Sequence, residues 1–394
     1  MSANIVLGVT GGIAAYKTLQ VASSLTKLGH NVYTIMTESA AEFISPLAFH
    51  SITHLPVETK LFSNTTSEVK HIGLADKADL FLIAPATANF IAKAAAGIAD
   101  DLLTTVILAT EAPIMAAPSM NVHMFENPVV QRNMQTLEEF GYKIITPAAG
   151  YLACGYTGKG RLPEPERLVE EIIRELTQKD LQNKKIIITA GPTREAIDPV
   201  RFLSNHSSGK MGYALARAAA YRGAEVKLIS GPTELEPPLG VEIISVESAA
   251  EMKESVFSEF EKADITIMAA AVADYSPKEF SSQKIKKQEG NLNLNLERTT
   301  DILAELGKRK NNSQLLIGFA AESEDLLKNA QSKLRKKQAD YIIANDINSK
   351  ETAFGSDKNQ VTILSEEGST NIPLMEKEKL AFKILNYILD SERK

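Results

Sequence analysis

The chain has 394 residues, of which 44% are hydrophobic and 23% are charged, and its formal net charge is −6. This composition is typical of a soluble globular protein of two or three domains, and it excludes collagen-like, disordered and disulfide-stapled chains. The single cysteine, Cys154, cannot form an intrachain disulfide, and the 6 histidines show no zinc-ligand spacing.

Apolar runs alternate with helical patterns along the whole chain. The first half is predicted to contain a strand from residue 5, a helix at 13–28, strands near 31–36, 80–84, 113–117 and 142–145, and further helices between them. The second half is predicted to contain strands near 186–189, 225–230, 264–268, 315–319 and 340–343, helices near 209–222, 248–261, 300–308 and 324–337, a hairpin near 361–373 and an amphipathic helix at 376–389. This alternation predicts an α/β protein with two tandem doubly wound, Rossmann-like parallel sheets.

The density of charge changes near the middle of the chain. Residues 1–180 contain 31 charged side chains, whereas residues 181–394 contain 61. A polar stretch separates a helical pattern that ends near Leu176 from a new apolar strand at 186–188. We therefore predict two domains, 1–180 and 181–394.

Two turns at predicted helix starts could hold an anion. Gly11 and Gly12 follow the first strand, where helix-start N–H groups can accept an anion, although a tight turn without a ligand would use the same residues. Ala14 and Ala15 stand where a dinucleotide fingerprint has glycine, which favours a mononucleotide over NAD. Residues 207–210 (SSGK) lack the other features of a Walker A motif, so they predict only an anion site.

Several features of the sequence indicate the compartment of the protein and exclude certain partners. The acidic balance and the absence of tryptophan argue against nucleic acid as a partner. No segment reaches the ~20 uninterrupted apolar residues of a membrane span. The N-terminus lacks the basic region of a signal peptide, so we expect a cytoplasmic protein with a reduced thiol and no membrane partner.

The first half also contains longer motifs, which are more informative than these turns. They lie at 11–17 (GGIAAYK), 71–75 (HIGLA), 85–89 (PATAN), 118–124 (PSMNVHM) and 153–155 (ACG). This set resembles the flavin-containing cysteine decarboxylases, which include the phosphopantothenoylcysteine decarboxylases. In that family the pattern at 118–124 is a substrate-recognition clamp.

The second half carries a different set of motifs. They lie at 190–195 (AGPTRE), 198–212 (DPVRFLSNHSSGKMG), 269–275 (AAAVADY), 284–287 (KIKK), 318–322 (GFAAE) and 344–346 (AND). They resemble phosphopantothenate–cysteine ligase, and the run at 198–212 is highly specific. The order of decarboxylase and then ligase is similar to the bacterial bifunctional enzymes of coenzyme A biosynthesis, and the resemblance covers essentially the whole chain.

The resemblance implies that the first half decarboxylates 4′-phosphopantothenoylcysteine to 4′-phosphopantetheine, with FMN as the electron sink. His71 would be the catalytic base, and Asn121 would hold the substrate carboxylate through a neutral amide. Cys154 would donate a proton from a Gly-rich flap that is neither helix nor strand. From the residues alone, His71 could instead sit at a helix start, Asn121 could be an N-cap and Cys154 could be packing.

The resemblance also assigns a set of residues to FMN. They are Gly12, Ile13, Ala14, Thr37, Ser39, Thr87, Ala88, Asn89, Phe90 and Ser119. Hydroxyls and helix-start N–H groups suit the phosphate and the ring edge, although Thr87 and Ser119 could be simple caps. In the family FMN lies at a subunit interface, so we expect a homo-oligomer built on trimers of the flavin domain and dimers of the ligase domain.

For the second half the resemblance implies ligation of cysteine to 4′-phosphopantothenate through an acyl-cytidylate, with CTP converted to CMP and pyrophosphate. Lys284 would be the catalytic lysine on a β-like stretch that places Lys286 on the same face, and Asn205 would bind the acyl-cytidylate. CTP and substrate would be bound by Arg201, Ala271, Asp274, Lys284, Thr299, Thr300, Asp301, Ile302, Phe319, Lys333 and Lys337. Mg²⁺ would accompany the phosphates, with Asp274 as its candidate ligand.

Some of these residues have simpler explanations. The family has Asn-Pro where this chain has Thr299 and Thr300, so at these two positions backbone N–H groups at a helix start are the better phosphate ligands. Phe319 could be a core residue of its strand. Lys333 and Lys337, four residues apart on one helical face, could form a solvated basic surface.

Two other functions remain open at this point. A flavin-binding regulatory subunit of the same fold would lack some catalytic residues, whereas this chain has His71, Asn121 and Cys154. A generic NAD(P) enzyme with two Rossmann-like domains would be colourless, because it would hold no flavin.

Overall fold

The computed structural model describes residues 2–62, 70–151, 155–286, 292–322, 326–346 and 355–392. The chain divides into two units, Met1–Leu176 and Thr177–Lys394. Each unit has its own sheet and its own hydrophobic core, so each is described separately.

A parallel sheet forms the centre of the first unit. The strands are β1 (Asn4–Val9), β2 (Asn31–Met36), β3 (Val57–Glu58), β4 (Leu80–Ala86), β5 (Ile114–Pro118), β6 (Lys143–Ile144), β7 (Ala148–Tyr151) and β8 (Thr157–Arg161). The first six pair in parallel in the order β3-β2-β1-β4-β5-β6, and β7 and β8 form a separate antiparallel pair. The order reverses between β1 and β4, and a crevice opens at the carboxyl ends of two strands at such a point.

Helices cover both faces of this sheet. They are α1 (Ala15–Lys27), α2 (Glu38–Ala41), α3 (Pro46–Thr53), α4 (Lys70–Lys77), α5 (Ala88–Ala96), α6 (Leu102–Ala109), α7 (Val122–Phe125), α8 (Pro128–Glu139) and α9 (Pro165–Leu176). On one face Leu25 of α1 and Phe49 of α3 pack with α9, and on the other Ile91 of α5 and Val106 of α6 pack with α8. The central strands are apolar on both sides, as expected for a sheet with both faces covered.

The second unit is built around a larger sheet. Its strands are β9 (Lys185–Ala190), β10 (Arg194–Ala196), β11 (Phe202–Ser204), β12 (Glu225–Ser230), β13 (Val241–Ser245), β14 (Ile265–Met268), β15 (Tyr275–Pro277), β16 (Leu296–Arg298), β17 (Leu315–Glu322), β18 (Tyr341–Asp346), β19 (Lys358–Ser365) and β20 (Gly368–Glu376). The main sheet has the order β13-β12-β9-β14-β17-β18-β19-β20, and its last two strands are antiparallel. Its order reverses between β9 and β14. Two small antiparallel pairs, β10–β11 and β15–β16, lie outside it.

Five helices pack on the second sheet within the described residues. They are α10 (Lys210–Tyr221), α11 (Ala249–Phe260), α12 (Ile302–Arg309), α13 (Leu326–Lys337) and α14 (Lys377–Glu392). Leu215 of α10 and Ile384 of α14 are buried on one face, whereas Val256 of α11 and Leu334 of α13 are buried on the other. The prediction of two tandem doubly wound α/β sheets is therefore confirmed.

Two local expectations were wrong, and one strand of the main second sheet was missed. Thr157–Arg161 is strand β8 rather than part of an irregular flap, because it pairs with β7. The predicted β-like stretch at Lys284 and Lys286 has no strand structure, so strand alternation does not place these side chains on one face. Strand β13 was not predicted at all. No helix among the described residues is long and apolar enough to cross a membrane.

Candidate active sites

A cavity of about 1450 Å³ opens in the first unit where the strand order reverses. Ligand pockets usually enclose roughly 300–1,000 Å³, so this space accommodates a mononucleotide-sized cofactor together with a substrate. All ten residues predicted to bind FMN line it, and so does Asn121: Gly12, Ile13, Ala14, Thr37, Ser39, Thr87, Ala88, Asn89, Phe90, Ser119 and Asn121. Residues from distant motifs meet here because the carboxyl ends of parallel strands share one edge of the sheet.

Thr10 also lines the cavity, although the motifs gave it no role. Its buried hydroxyl donates to the Pro85 carbonyl at 2.6 Å and accepts the Thr87 N–H at 3.2 Å. The hydroxyl oxygens of Thr10 and Thr87 are 3.1 Å apart. Thr10 therefore connects the end of β1 to the end of β4 by hydrogen bonds, at the point where the strand order reverses.

Helices α1, α2 and α5 all begin at the cavity, and they begin differently. Thr37 caps α2 by accepting the Ala40 N–H at 3.2 Å, and Thr87 caps α5 by accepting the Phe90 N–H at 3.4 Å. Helix α1 has Ala14 at its N-cap and no side-chain cap. Because alanine offers no side-chain acceptor, the start of α1 suits an anionic group from a ligand.

The two glycines at the start of α1 have separate structural reasons. A Cβ at Gly11 would lie 2.4 Å from the Ser39 Cβ, so glycine is required for the close approach of α2. A Cβ at Gly12 would lie 3.6 Å from the Pro85 Cγ, which is an ordinary contact on the cavity wall. The start of α1 without a side-chain cap, the position of Gly12 on the cavity wall and the size of the cavity fit a planar cofactor that carries a phosphate.

Lys17, the last residue of the motif at 11–17, is a second cavity residue to which the sequence assigned no role. Its ammonium group is largely buried and pairs with the Glu164 carboxylate at 2.8 Å. This hydrogen bond from Lys17 holds the pKa of Glu164 below its usual value. The pair joins α1 to the residue just before α9.

The three predicted catalytic groups of this unit fall in different places. Asn121 caps α7 by accepting the His123 N–H at 2.8 Å, and it also lines the cavity. His71 is the second residue of α4 and is half-buried, but it is not part of the described cavity wall. Cys154 lies outside the described residues.

The β7–β8 pair is attached to the cavity wall next to Asn121. The Gly160 carbonyl of β8 accepts the Met120 N–H at 2.9 Å. A Cβ at Gly160 would lie 2.4 Å from the Met120 carbonyl oxygen, so only glycine permits this contact. By sequence, Cys154 belongs to the connection between these two strands.

In the second unit, Asn205 lies at the point where the strand order reverses. Its amide nitrogen donates to the carbonyl oxygens of Ala271 at 3.2 Å and Val272 at 3.1 Å, just beyond the end of β14. Pro192, just beyond the end of β9, forms an isolated parallel bridge with Ala271. The predicted pair of Asn205 and Ala271 is therefore brought together.

A second group of predicted residues gathers beside this point. Thr299 donates its hydroxyl to the Ala273 carbonyl at 2.6 Å and its N–H to the Asp274 carbonyl at 3.0 Å. Asp301 caps α12 and forms an ion pair with Lys337 of α13. Burial lowers the pKa of Lys337, while the negative charge of Asp274 opposes this shift.

The remaining predicted residues of this unit vary in exposure. Ile302 is buried in the core, so only its backbone is open to a ligand. Phe319 of β17 is half-buried and packs against the α10–α14 side of the core. Thr300 is exposed and accepts from the Lys253 ammonium at 3.4 Å, and Lys333 is half-buried on α13.

Arg201 and the Lys284 segment meet at a buried carboxylate, Asp198. This carboxylate accepts from Nε of Arg201 at 3.0 Å and from the Ile285 N–H at 3.1 Å. A guanidinium NH₂ group of Arg201 also donates to the Ile285 carbonyl at 2.8 Å. The hydrogen bonds from Arg201 hold the pKa of Asp198 well below its usual range.

The described residues show no group of three or more acidic, His or Cys side chains that could together hold a metal ion. Asp274 is exposed directly before β15, and among the described residues it is not part of such a group. The part of the chain that the structure describes therefore forms no preformed metal site around Asp274.

The two units correspond to two known families of domains. The Flavoprotein family matches residues 1–177, and the family described as DNA/pantothenate metabolism flavoprotein C-terminal domain matches residues 181–391. Relatives that match across both units include the coenzyme A biosynthesis bifunctional protein CoaBC of Bacillus subtilis (strain 168), 51% identical over 98% of this chain and 96% of the relative. The protein of the same name from Vibrio cholerae serotype O1 is 46% identical over 98% of this chain and 97% of its own length. The chain belongs to this family of coenzyme A biosynthesis bifunctional proteins.

Solved structures resemble each half. The C-terminal domain of a coenzyme A biosynthesis bifunctional protein CoaBC is 46% identical, with a TM-score of 0.47, and covers 55% of this chain and 100% of its own. A PPC decarboxylase mutant complexed with pantothenoylaminoethenethiol is 30% identical, with a TM-score of 0.39, and covers 44% of this chain and 97% of its own.

Proposed function

We propose that the chain catalyses two consecutive reactions of coenzyme A biosynthesis. The second unit, within 181–394, joins cysteine to 4′-phosphopantothenate at the expense of CTP, and the first unit, within 1–180, decarboxylates the product to 4′-phosphopantetheine with FMN. The observation that carries the proposal is the convergence of three first-half motifs, those at 11–17, 85–89 and 118–124, on one cavity. Membership of the family over nearly the full length of the chain supports both halves.

In the first unit the protein binds and orients the substrate. The start of α1 receives the cofactor phosphate, because its first N–H groups have no side-chain cap. When bound, FMN would supply reversible two-electron oxidation at the thiol-bearing carbon, and the oxidised carbon–sulfur group would accept the electron pair left on the substrate when CO₂ departs. Asn121 holds that carboxylate with a neutral amide, so it does not favour retention of the charged group. His71 accepts a proton, and Cys154 later returns one to the substrate carbon.

A neighbouring copy of the chain completes this site in our proposal. His71 is absent from the described cavity wall, and large apolar side chains stand exposed at the rim: Ile13 is 61% exposed, Tyr16 60% and Phe62 86%. Exposed apolar groups around a cavity are typical of an interface. This supports a homo-oligomer with trimeric flavin units, in which one copy supplies His71 to the cavity of another.

In the second unit the protein positions the carboxylate and the triphosphate for attack. The carboxylate of phosphopantothenate attacks the α-phosphorus of CTP, pyrophosphate leaves, and the cysteine amine then displaces CMP. Lys284 neutralises charge that develops on the phosphates, and Asn205 holds the acyl-cytidylate. Lys337 and the start of α12 hold the outer phosphates. Mg²⁺ at Asp274 would take most of its ligands from phosphate oxygens and water, as this ion commonly does.

The half reactions give a direct test of this assignment. Purified protein supplied with 4′-phosphopantothenoylcysteine alone should release CO₂ without any nucleotide, and it should be yellow from bound flavin. A yellow protein that releases no CO₂ would instead fit a flavin-binding regulatory subunit. A colourless protein would overturn the flavin assignment altogether.

A further inference from the structure

One buried ionised group in the second unit has no part in the chemistry described so far. Asp198 is 2% exposed, and its carboxylate accepts N–H groups of Val200 and Arg201, both at 2.9 Å. An ionised carboxylate is costly to bury unless it is fully paired. The pairing here extends to the Arg201 guanidinium and to Ile285, which is 87 residues further along the chain.

The segment on the other side of this contact carries Lys284. Residues 284–286 belong to no helix or strand, so regular secondary structure does not fix their position. Both backbone groups of Ile285 are held, the N–H by Asp198 and the carbonyl by Arg201 at 2.8 Å. One residue before Asp198, the Ile197 carbonyl accepts the Ser281 N–H at 3.1 Å. The loop before β11 thus anchors the lysine segment at two points.

We propose that Asp198 is a positioning residue of the ligase reaction: with Arg201 it clamps the backbone of Ile285 and so fixes Lys284 at the nucleotide. The inference rests on the proposed role of Lys284. Lysine is a flexible side chain, and its position depends on where the backbone holds its stem. A displacement of about 1 Å at a reacting centre can cost a factor of about 100 in rate.

The test is a double-mutant cycle on the full-length protein, with CTP-dependent pyrophosphate release as the readout. Asp198→Asn keeps the shape but removes the charge and one acceptor, so it should lower kcat about 100-fold. Lys284→Gln should lower it further. The double variant should then be no slower than Lys284→Gln alone, because a positioning residue has no effect once the group it positions is gone.

A matched control separates positioning from general damage. Asp180 forms a similar two-point contact with Arg222, at 2.8 and 2.6 Å, before the amino end of β9 and away from the strand reversal. Asp180→Asn should retain near wild-type kcat for pyrophosphate release. CO₂ release from 4′-phosphopantothenoylcysteine should be unchanged in every variant.

Hydrogen exchange of the Ile285 amide tests the clamp in the wild-type protein, so this test does not depend on whether a variant folds. In the wild-type protein this amide should exchange slowly, because it donates to a buried carboxylate. Exchange at the rate of a free amide would overturn the clamp, as would wild-type kcat in Asp198→Asn or multiplied losses in the double variant. If Lys284→Gln itself were fully active, the assignment of that lysine would fail first, and the clamp would fail with it.

Discussion

The hydroxyl oxygens of Thr10 and Thr87 lie 3.1 Å apart and join the ends of two strands that are 77 residues apart in the sequence. This contact sits at the strand-order reversal of the first sheet, directly on the wall of the cavity. The same hydroxyl of Thr10 donates to the Pro85 carbonyl and accepts the Thr87 N–H. One small side chain thus sets the start of α5 relative to the start of α1.

Thr10→Val should weaken flavin binding by about tenfold or more. The change removes both bonds of a buried hydroxyl, and a buried group left without its partner costs roughly 1–3 kcal/mol. Titration of the apoprotein with FMN, followed by flavin fluorescence, measures the effect. Thr34→Val is the matched control, because the buried Thr34 hydroxyl has no hydrogen-bond partner in the described part of the chain. Equal affinities in the two variants would contradict the role of Thr10.

Gly11→Ala and Gly12→Ala should differ sharply in the stability of the first unit. The first adds a Cβ 2.4 Å from the Ser39 Cβ and must displace α2, at a cost of roughly 1–3 kcal/mol for overpacking. The second adds a Cβ at 3.6 Å from Pro85, which the fold tolerates. Thermal unfolding followed by flavin release should give a lower midpoint for Gly11→Ala alone. A matching drop in both variants would count against the close approach as the cause.

Cys154→Ser should leave ligation intact and stall the decarboxylation. In our proposal this thiol returns the last proton, so CO₂ should still leave while an oxidised product accumulates before its final reduction. Mass spectrometry of the product pool distinguishes the oxidised form from 4′-phosphopantetheine. Undiminished output of 4′-phosphopantetheine would show that another group donates the proton.

Lys284→Gln should lower CTP-dependent pyrophosphate release by about 1,000-fold, a larger loss than for Asp198→Asn, while decarboxylation of supplied substrate continues. The change removes a cation that the triphosphate needs in the transition state. Lys262→Gln is a suitable control, because Lys262 is a 67% exposed surface lysine beside the end of α11. Normal pyrophosphate release in Lys284→Gln would refute the assignment.

The stability of the second unit should depend on pH through Asp198. Its folded pKa lies well below the ordinary value, so ionised Asp198 stabilises the fold at neutral pH. That contribution is complete above the unfolded pKa of about 3.9 and is lost as the pH falls toward the lower folded pKa. The facing charge is the Arg201 guanidinium. Hydrogen exchange of second-unit peptides should show Asp198→Asn destabilised by a constant amount above about pH 5 and by less below about pH 4. A gap that widened in acid would contradict this sign.

The sequence predicted most of the fold because its central strands are unmistakable. Residues 186–188 form a run of three isoleucines, all buried in β9 as a doubly covered strand requires. Strand β13 escaped prediction because it is a half-exposed edge strand that depends on pairing with β12, and its residues Glu242 and Ser245 are exposed. Edge strands of this kind take their structure from a neighbour rather than from a local pattern.

The sequence likewise predicted some of the site residues but not others. Residues in the motifs converge because carboxyl ends of parallel strands meet at one edge, which a correct strand prediction already implies. The roles of Thr10 and Asp198 could not be predicted, because their partners Pro85 and Ile285 are 75 and 87 residues away. Only the folded chain shows that these polar groups are buried and paired.

The coupled reaction tests the central proposal most directly. Purified protein should be incubated with 4′-phosphopantothenate, cysteine and one nucleoside triphosphate at a time, while CO₂, pyrophosphate and nucleoside monophosphate are measured together. We predict equal amounts of CMP, pyrophosphate and CO₂ with CTP, and 4′-phosphopantetheine as the final product. Absence of CMP with CTP, or formation of CMP without CO₂ from the flavin-loaded protein, would contradict the account.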